Sequence, residues 1–263
     1  MVGLLEVVLF FFGVASGFIA GLLGVGGAII LIPMMIYILP YFGFNLSMHE
    51  IMGLSMALVF FAALAGAITH FKGGNFNKNL VIFVGSAMFF GSLIGGIASS
   101  VVTERTLLSI FALVLAISIG LMLTSKKESD IDNANNNCDY MVSIKEKKIG
   151  LFLGFTIGIL SGMIGLGGAA ILTASLIFFL KIPIKVCIGT SLAIVLAGSA
   201  AGFFGKAVTN QIPFIPAIFL VAGGILAARF GSKVSMKLKS EHLKKILVVV
   251  LIITLIQITF SLF

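Results

Sequence analysis

Two glycine-rich stretches carry most of the chemistry this sequence can do. Gly24-Val25-Gly26-Gly27 and Gly165-Leu166-Gly167-Gly168 each interrupt an apolar run. Such a stretch cannot continue a stable helix, because each Gly costs about 1 kcal/mol against Ala. It can turn with positive φ and bring the backbone close to a ligand. The next segment restarts a helix, so unpaired N–H groups and the positive dipole end face the break. A helix N-terminus of that kind binds anions. Gly24, Gly26, Gly27, Gly165, Gly167 and Gly168 are therefore candidate substrate ligands. Ser55, Thr190 and Ser191 follow Gly53 and Gly189 inside apolar runs. Their hydroxyls can donate to an anion or bond back to the preceding helical turn. Ser16 and Ser161, shortly before the breaks, have the same two options. His70 and Lys206 are candidate cavity cations, or interfacial side chains that snorkel to water. For Gly13, Gly17 and Gly21, at four-residue spacing, tight helix packing is the expected role.

The acidic residues point the same way. Five of the nine lie between 128 and 146, and Glu6, Glu50, Glu104 and Glu241 stand near the starts of apolar runs, so none is in the middle of one. A helix N-terminus favours a carboxylate at such a place. Cation and proton carriers usually bind through carboxylates within the membrane. Their absence here argues against a metal or Na⁺ site built on carboxylates and leaves room for an anion. Catalysis finds no support: there is no HExxH, no GxSxG and no paired carboxylate, and His49, His70 and His242 are far apart. The glycines lack the strand-turn-helix setting and ribose-binding acid of a nucleotide fingerprint, and no Walker Lys-Ser or Lys-Thr follows them. Neither cofactor nor metal is expected, and Cys138 and Cys187 have no metal-ligand spacing.

The elements that hold these residues follow from composition. Of 263 residues 60% are apolar and 10% charged, with a mean hydropathy of +1.23. Soluble domains run about 45–50% apolar and about 25% charged. The polar side chains are too few to cover a water-facing surface, so an all-α polytopic membrane protein of about 8–10 helical segments is expected. Apolar runs lie near 3–23, 27–42, 50–70, 79–99 and 105–124, then near 149–164, 168–181, 187–208, 212–231 and 243–262. The polar interval 125–148 separates two five-segment regions, 1–124 and 149–263. The net charge of +8 would suggest nucleic acid for a soluble protein. Here it reads as loop lysines on the cytoplasmic side. If all ten runs cross, the basic loops 72–78, 125–148, 181–185 and 229–245 share that side, and both termini lie outside.

The two regions match each other. Gly13 to Gly27 aligns with Gly154 to Gly168 without a gap, Gly53-Leu54-Ser55-Met56-Ala57 with Gly189-Thr190-Ser191-Leu192-Ala193, and Ala65-Gly66 with Ala201-Gly202. Three matches in one order indicate an internal duplication. Five spans per repeat make the repeats inverted, as in many secondary transporters. Runs 27–42 and 168–181 are short for full spans. If they are re-entrant, the repeats are parallel instead.

These paired motifs resemble the sulfite exporter TauE/SafE family, also called the toluene sulfonate uptake permease family. The likeness is carried by Gly17 to Gly27 with Pro33, by Gly158 to Gly168, and by the Gly53 and Gly189 stretches; Ala174 departs from it at the place aligned with Pro33. The resemblance implies an inner-membrane transporter of sulfite, sulfonates or related anions, driven by an ion gradient. Its partners would be a small anion, a coupling ion and the bilayer. Two other readings stay open at this stage: a passive channel for small anions or neutral solutes, and a membrane partner subunit with no transport of its own.

Overall fold

The computed structural model describes residues 2–72, 78–124, 144–180 and 184–262. Among them are ten α-helices, two short 3-10 turns and no strand. In chain order the first five helices are α1 (Val2–Leu23), α2 (Ala28–Tyr37), α3 (Met48–Lys72), α4 (Lys78–Ala98) and α5 (Glu104–Thr124). The other five are α6 (Ile144–Ile164), α7 (Ala169–Leu180), α8 (Ile184–Val208), α9 (Phe214–Lys237) and α10 (Ser240–Leu262). Seven of the ten are long and apolar enough to cross a membrane; the apolar stretches Ala28–Tyr37, Lys148–Ile164 and Ala169–Phe179 are shorter.

Each expected run becomes a helix, with two differences at the ends. Run 27–42 is not one helix: α2 stops at Tyr37, and Leu39–Phe42 forms a 3-10 turn with Pro40 at its start, where the missing N–H is not needed. At about 1.5 Å per residue, the 10 residues of α2 reach about half of a hydrocarbon core about 30 Å thick. The second repeat was expected to begin at 149, yet α6 already begins at Ile144. Lys145, Glu146, Lys147 and Lys148 are good helix formers and extend its first turns. The remainder of the polar interval, 125–143 with Cys138, lies outside the described residues.

The first-turn carboxylates stand where the sequence predicts. Ser47 and Glu50 form a capping box at α3: the Ser47 amide donates to Glu50 Oε2 at 2.8 Å, and the Glu50 amide to Ser47 Oγ at 3.3 Å. Glu104, in the first turn of α5, accepts from the Met48 amide at 3.0 Å and lies 3.7 Å from His49 Nδ1. These bonds put the starts of α3 and α5 at the same end of the molecule.

Glycine decides how the helices pair. α1 runs parallel to α9: side chains at Gly13, Gly17 and Gly21 would strike the carbonyls of Leu220, Gly224 and Ala228 in that order. α4 runs parallel to α6 in the same manner, with Gly154, Gly158 and Gly162 against the carbonyls of Val84, Met88 and Ser92. Backbones so close gain van der Waals contact where lipid offers no hydrophobic drive between helices. α3 and α8 are the two most deeply buried spans. α5 and α10 lie outermost and turn Leu113, Leu123, Ile256 and Phe260 outward. A lipid-facing surface needs such residues.

Candidate functional site

Both glycine stretches break the chain between helices, the first joining α1 to α2 and the second α6 to α7. Gly24 and Gly26 have φ of 67° and 72°, and Gly165, Gly167 and Gly168 have φ of 80°, 67° and 69°. A Cβ is penalised in this left-handed region by about 1–2 kcal/mol. Gly27 caps α2 at φ 11°. An ideal Cβ on Gly27 would lie 2.7 Å from the Ser16 carbonyl oxygen, so the chain folds back along α1 after the break.

The two breaks meet. A Cβ on Gly26 would be 3.1 Å from the Leu166 carbonyl oxygen and 3.2 Å from Val59. Gly167 contacts Val59 of α3 and Val195 of α8. Gly26 and Gly167 thus come together near the middle of α3, and Gly24 and Gly165 lead away from it in opposite directions. Gly24 lies against Ile188 near the start of α8, and Gly165 against Met52 near the start of α3.

Each break is tied to the opposite region of the chain by a serine. Ser55 Oγ donates to the Gly165 carbonyl at 3.0 Å, and Ser191 Oγ to the Gly24 carbonyl at 3.3 Å. Both also bond to the preceding turn, Ser55 to Met52 O at 3.0 Å and Ser191 to Ile188 O at 3.1 Å. The sequence left these hydroxyls two options, an anion or the preceding turn. Here their protons serve the carbonyls that the breaks leave without helical partners, and so fix the shape of the breaks. Thr190 is fully buried beside Ser191. Ser16 is satisfied within α1, donating to Phe12 O at 2.5 Å.

Other polar groups remain free to act. Among the described residues, the amides of Gly26, Gly27, Gly167 and Gly168 donate to no backbone carbonyl. Ser161 Oγ is buried without a partner, and its Cβ is 3.0 Å from where a Cβ on Gly168 would stand. Thr173 Oγ1 in α7 and Ser92 Oγ in α4 are also buried and unpaired. An unsatisfied buried hydroxyl costs about 1–3 kcal/mol, which a ligand acceptor would recover. Thr173 and Ser92 escaped the sequence reading, since a single hydroxyl in an apolar run gives no sign of whether its own helix satisfies it.

Lys206 does not reach water. It is fully buried, and its ammonium donates to Ser99 Oγ at 2.8 Å, Gln211 Oε1 at 2.9 Å and Met163 O at 3.1 Å. Met163 lies in the last turn of α6, immediately before the second break. Ser99 also donates to Gly96 O at 2.7 Å, and Gln211 Nε2 to Thr209 Oγ1 at 2.7 Å, so the cage around Lys206 is closed by neutral groups. Taking an ammonium out of water costs several kcal/mol. Three acceptors and the negative end of α6 offset part of that. Polar Ser99-Ser100 and Thr209-Asn210-Gln211 at run ends were the available signal for this cage, and the sequence reading did not use it. The side chain of His70, which aligns with Lys206, lies outside the described residues. Among the described residues no three His, Cys, Asp or Glu side chains are grouped to hold a metal.

Comparison with known proteins agrees with this architecture. The family model described as "Sulfite exporter TauE/SafE" matches residues 9–258. The chain is 23% identical over 262 residues to the probable membrane transporter protein YunE of Bacillus subtilis (strain 168), with 94% of each chain covered. It is 26% identical over 233 residues to the probable membrane transporter protein YdhB of the same organism, covering 88% of this chain and 89% of that one. A probable membrane transporter protein of Methanocaldococcus jannaschii, MJ0441, is 25% identical over 244 residues, with 88% and 87% covered. No solved structure matches.

Proposed function

The chain belongs to the TauE/SafE sulfite exporter family of membrane transporters, and from that premise we propose that it is a secondary carrier of a small sulfur oxyanion, a sulfite or sulfonate, across the inner membrane. An ion gradient drives it, and no catalytic step is involved. The substrate binds where the two glycine breaks meet. The observation that carries this reading is the set of free amides at Gly26, Gly27, Gly167 and Gly168, which head α2 and α7. Amides at a helix N-terminus favour negative charge. No described carboxylate is buried in the protein to oppose it. Non-helical backbone at membrane depth persists only where protein or a wet cavity surrounds it. Gly24 and Gly165 shape the approach from either side, Ser55 and Ser191 hold the breaks, and Thr190 supports Ser191.

Residues 1–124 and 149–263 act as two inverted repeats around this site, with 125–148 as a cytoplasmic loop between them. The matched packing supports that: α1 lies parallel to α9 as α4 lies parallel to α6, and each break is held by a serine of the other repeat. Two such halves rocking about a central site give alternating access.

Uptake into proteoliposomes tests the proposal. Labelled sulfite or a small sulfonate should enter saturably, depend on an ion gradient and exchange against unlabelled anion inside. Flux that rises linearly without exchange would make the protein a passive path, and no flux across a panel of sulfur oxyanions would make it a partner subunit.

A further inference from the structure

Lys206 is the only cationic side chain among the described residues that is fully buried; Arg105, Lys148, Arg229, Lys233, Lys237, Lys239 and Lys245 are exposed. Its acceptors are a hydroxyl, an amide oxygen and a backbone carbonyl, and none of them carries a charge. The ion pairs of the described residues join His49 to Glu104 and Lys245 to Glu241, so no described carboxylate answers Lys206. The apolar core around it gives little screening. When Lys206 is protonated, its charge therefore acts on whatever else enters the neighbourhood, and the neighbourhood is the second break. Met163, which the ammonium grips, is four residues from Gly167, a chain distance of at most about 14 Å.

We propose that Lys206, in its protonated form, supplies the charge that makes the transport path selective for anions, drawing the substrate to the second glycine break and favouring two negative charges over one. The inference rests on the anion-carrier reading above and adds to it a residue and a charge preference. Ser99 and Gln211 are positioning residues: they hold the ammonium in place with neutral oxygens and leave its charge uncompensated. A carboxylate at position 211 would still accept from the ammonium, as Gln211 Oε1 does, and would abolish the attraction.

The size of the effect follows from distance. For an anion held about 10 Å from the ammonium, unit charges at an effective dielectric of 20 attract enough for roughly tenfold in affinity, and a dianion squares that factor to roughly a hundredfold. A lysine that merely caps α6 would affect all ligands alike.

The experiment compares three ligands on the full-length purified protein by calorimetry: sulfoacetate with two charges, methanesulfonate with one and dimethyl sulfone with none. Lys206→Gln keeps a donor and removes the charge, and Gln211→Glu leaves Lys206 in place but neutralises it. Melting and size exclusion check that each variant is folded. Both variants should lose about a hundredfold for sulfoacetate, about tenfold for methanesulfonate and nothing for the sulfone. Ser99→Ala, which removes an acceptor and no charge, should keep the parent's order of affinities. Losses equal across the three ligands, or absent in a folded Gln211→Glu, overturn the inference and leave the carrier reading standing. A parent protein that binds neither anion overturns both.

Discussion

The hydroxyl of Ser55 on α3 reaches 3.0 Å to the carbonyl of Gly165 at the end of α6, joining residues 110 positions apart. Ser191 on α8 does the same for Gly24 at the end of α1, at 3.3 Å. Each bond crosses from one region of the chain to the other, so the shape of either break depends on the opposite region. Motion of one against the other would strain or release these two bonds. They are the place where a rocking movement would be felt at the site.

Removing either hydroxyl should therefore cost stability and transport together. Ser55→Ala and Ser191→Ala each leave a buried break carbonyl short of a donor, a loss of about 1 kcal/mol. The two should behave alike, because the bonds are alike. Chemical denaturation in detergent measures the stability change, and proteoliposome uptake the activity. Ala variants with parent stability would mean that water or another donor satisfies the carbonyls.

The packing glycines should be far less forgiving. A side chain at Gly17 would drive into the backbone of Gly224, which cannot move aside as a side chain can. Gly17→Val should force α1 from α9 and abolish the monodisperse peak in size exclusion. Gly120→Ala is the control: nothing lies within 4 Å of its Cβ, and Ala is the better helix former by about 1 kcal/mol. That variant should be at least as stable as the parent.

Much of the fold was legible because lipid imposes a simple rule. The long, continuous apolar runs had to become helices, since only helices and closed β-barrels satisfy the backbone in a membrane, and barrel strands are short and alternate in polarity. The breaks were legible for the converse reason, as glycine clusters mark where the helix fails. What the sequence hid was which partner each polar group finds. Ser55 and Ser191 could serve an anion or their own helical turn, and their approach to Gly165 and Gly24 is a third partner that the sequence does not reveal. Lys206 looked like a residue at a boundary because it lies two positions from the end of the apolar run 187–208. Its burial depends on Ser99 and Met163, which the chain brings from far away.

The charge of the bound substrate can be probed at Ser161, whose hydroxyl is buried and unpaired beside Gly168. The glycines themselves are unsuitable for this purpose. At Gly168, with φ 69° and Met88 within 2.6 Å of an ideal Cβ, any side chain brings strain along with its charge. Ser161→Asp and Ser161→Asn have the same shape and differ in charge. Like charges about 4 Å apart repel by about 4 kcal/mol at an effective dielectric of 20, on the order of a thousandfold in affinity. The Asp variant should lose oxyanion uptake by that order relative to the Asn variant. Equal uptake by the two would move the substrate away from the second break.

Topology gives the last test, and the packing makes it definite. α1 and α9 run parallel, so Val2 lies at the same end as the turn that precedes Phe214. Gln211 in that turn touches Gly53 near the start of α3, whose first amide bonds to Glu104. Ser261 near the end of α10 lines one groove together with Met48 and Glu104. Both termini thus share an end with the connections 43–47, 102–103 and 209–213, which carry no Lys or Arg. Lysines collect toward the other end, with Lys126 and Lys127 after α5 and Lys145, Lys147 and Lys148 in the first turns of α6. Positive charge in short loops stays in the cytoplasm. Tags at either terminus should therefore be reached by a membrane-impermeant reagent from outside intact cells, and tags within 128–140 should not. A C-terminus found inside, with the N-terminus outside, would sink the inverted arrangement, because ten helices with two half-length members could not then place both ends together. The assignment to the transporter family would survive that result, but the pairing of α1 with α9 would have to be abandoned.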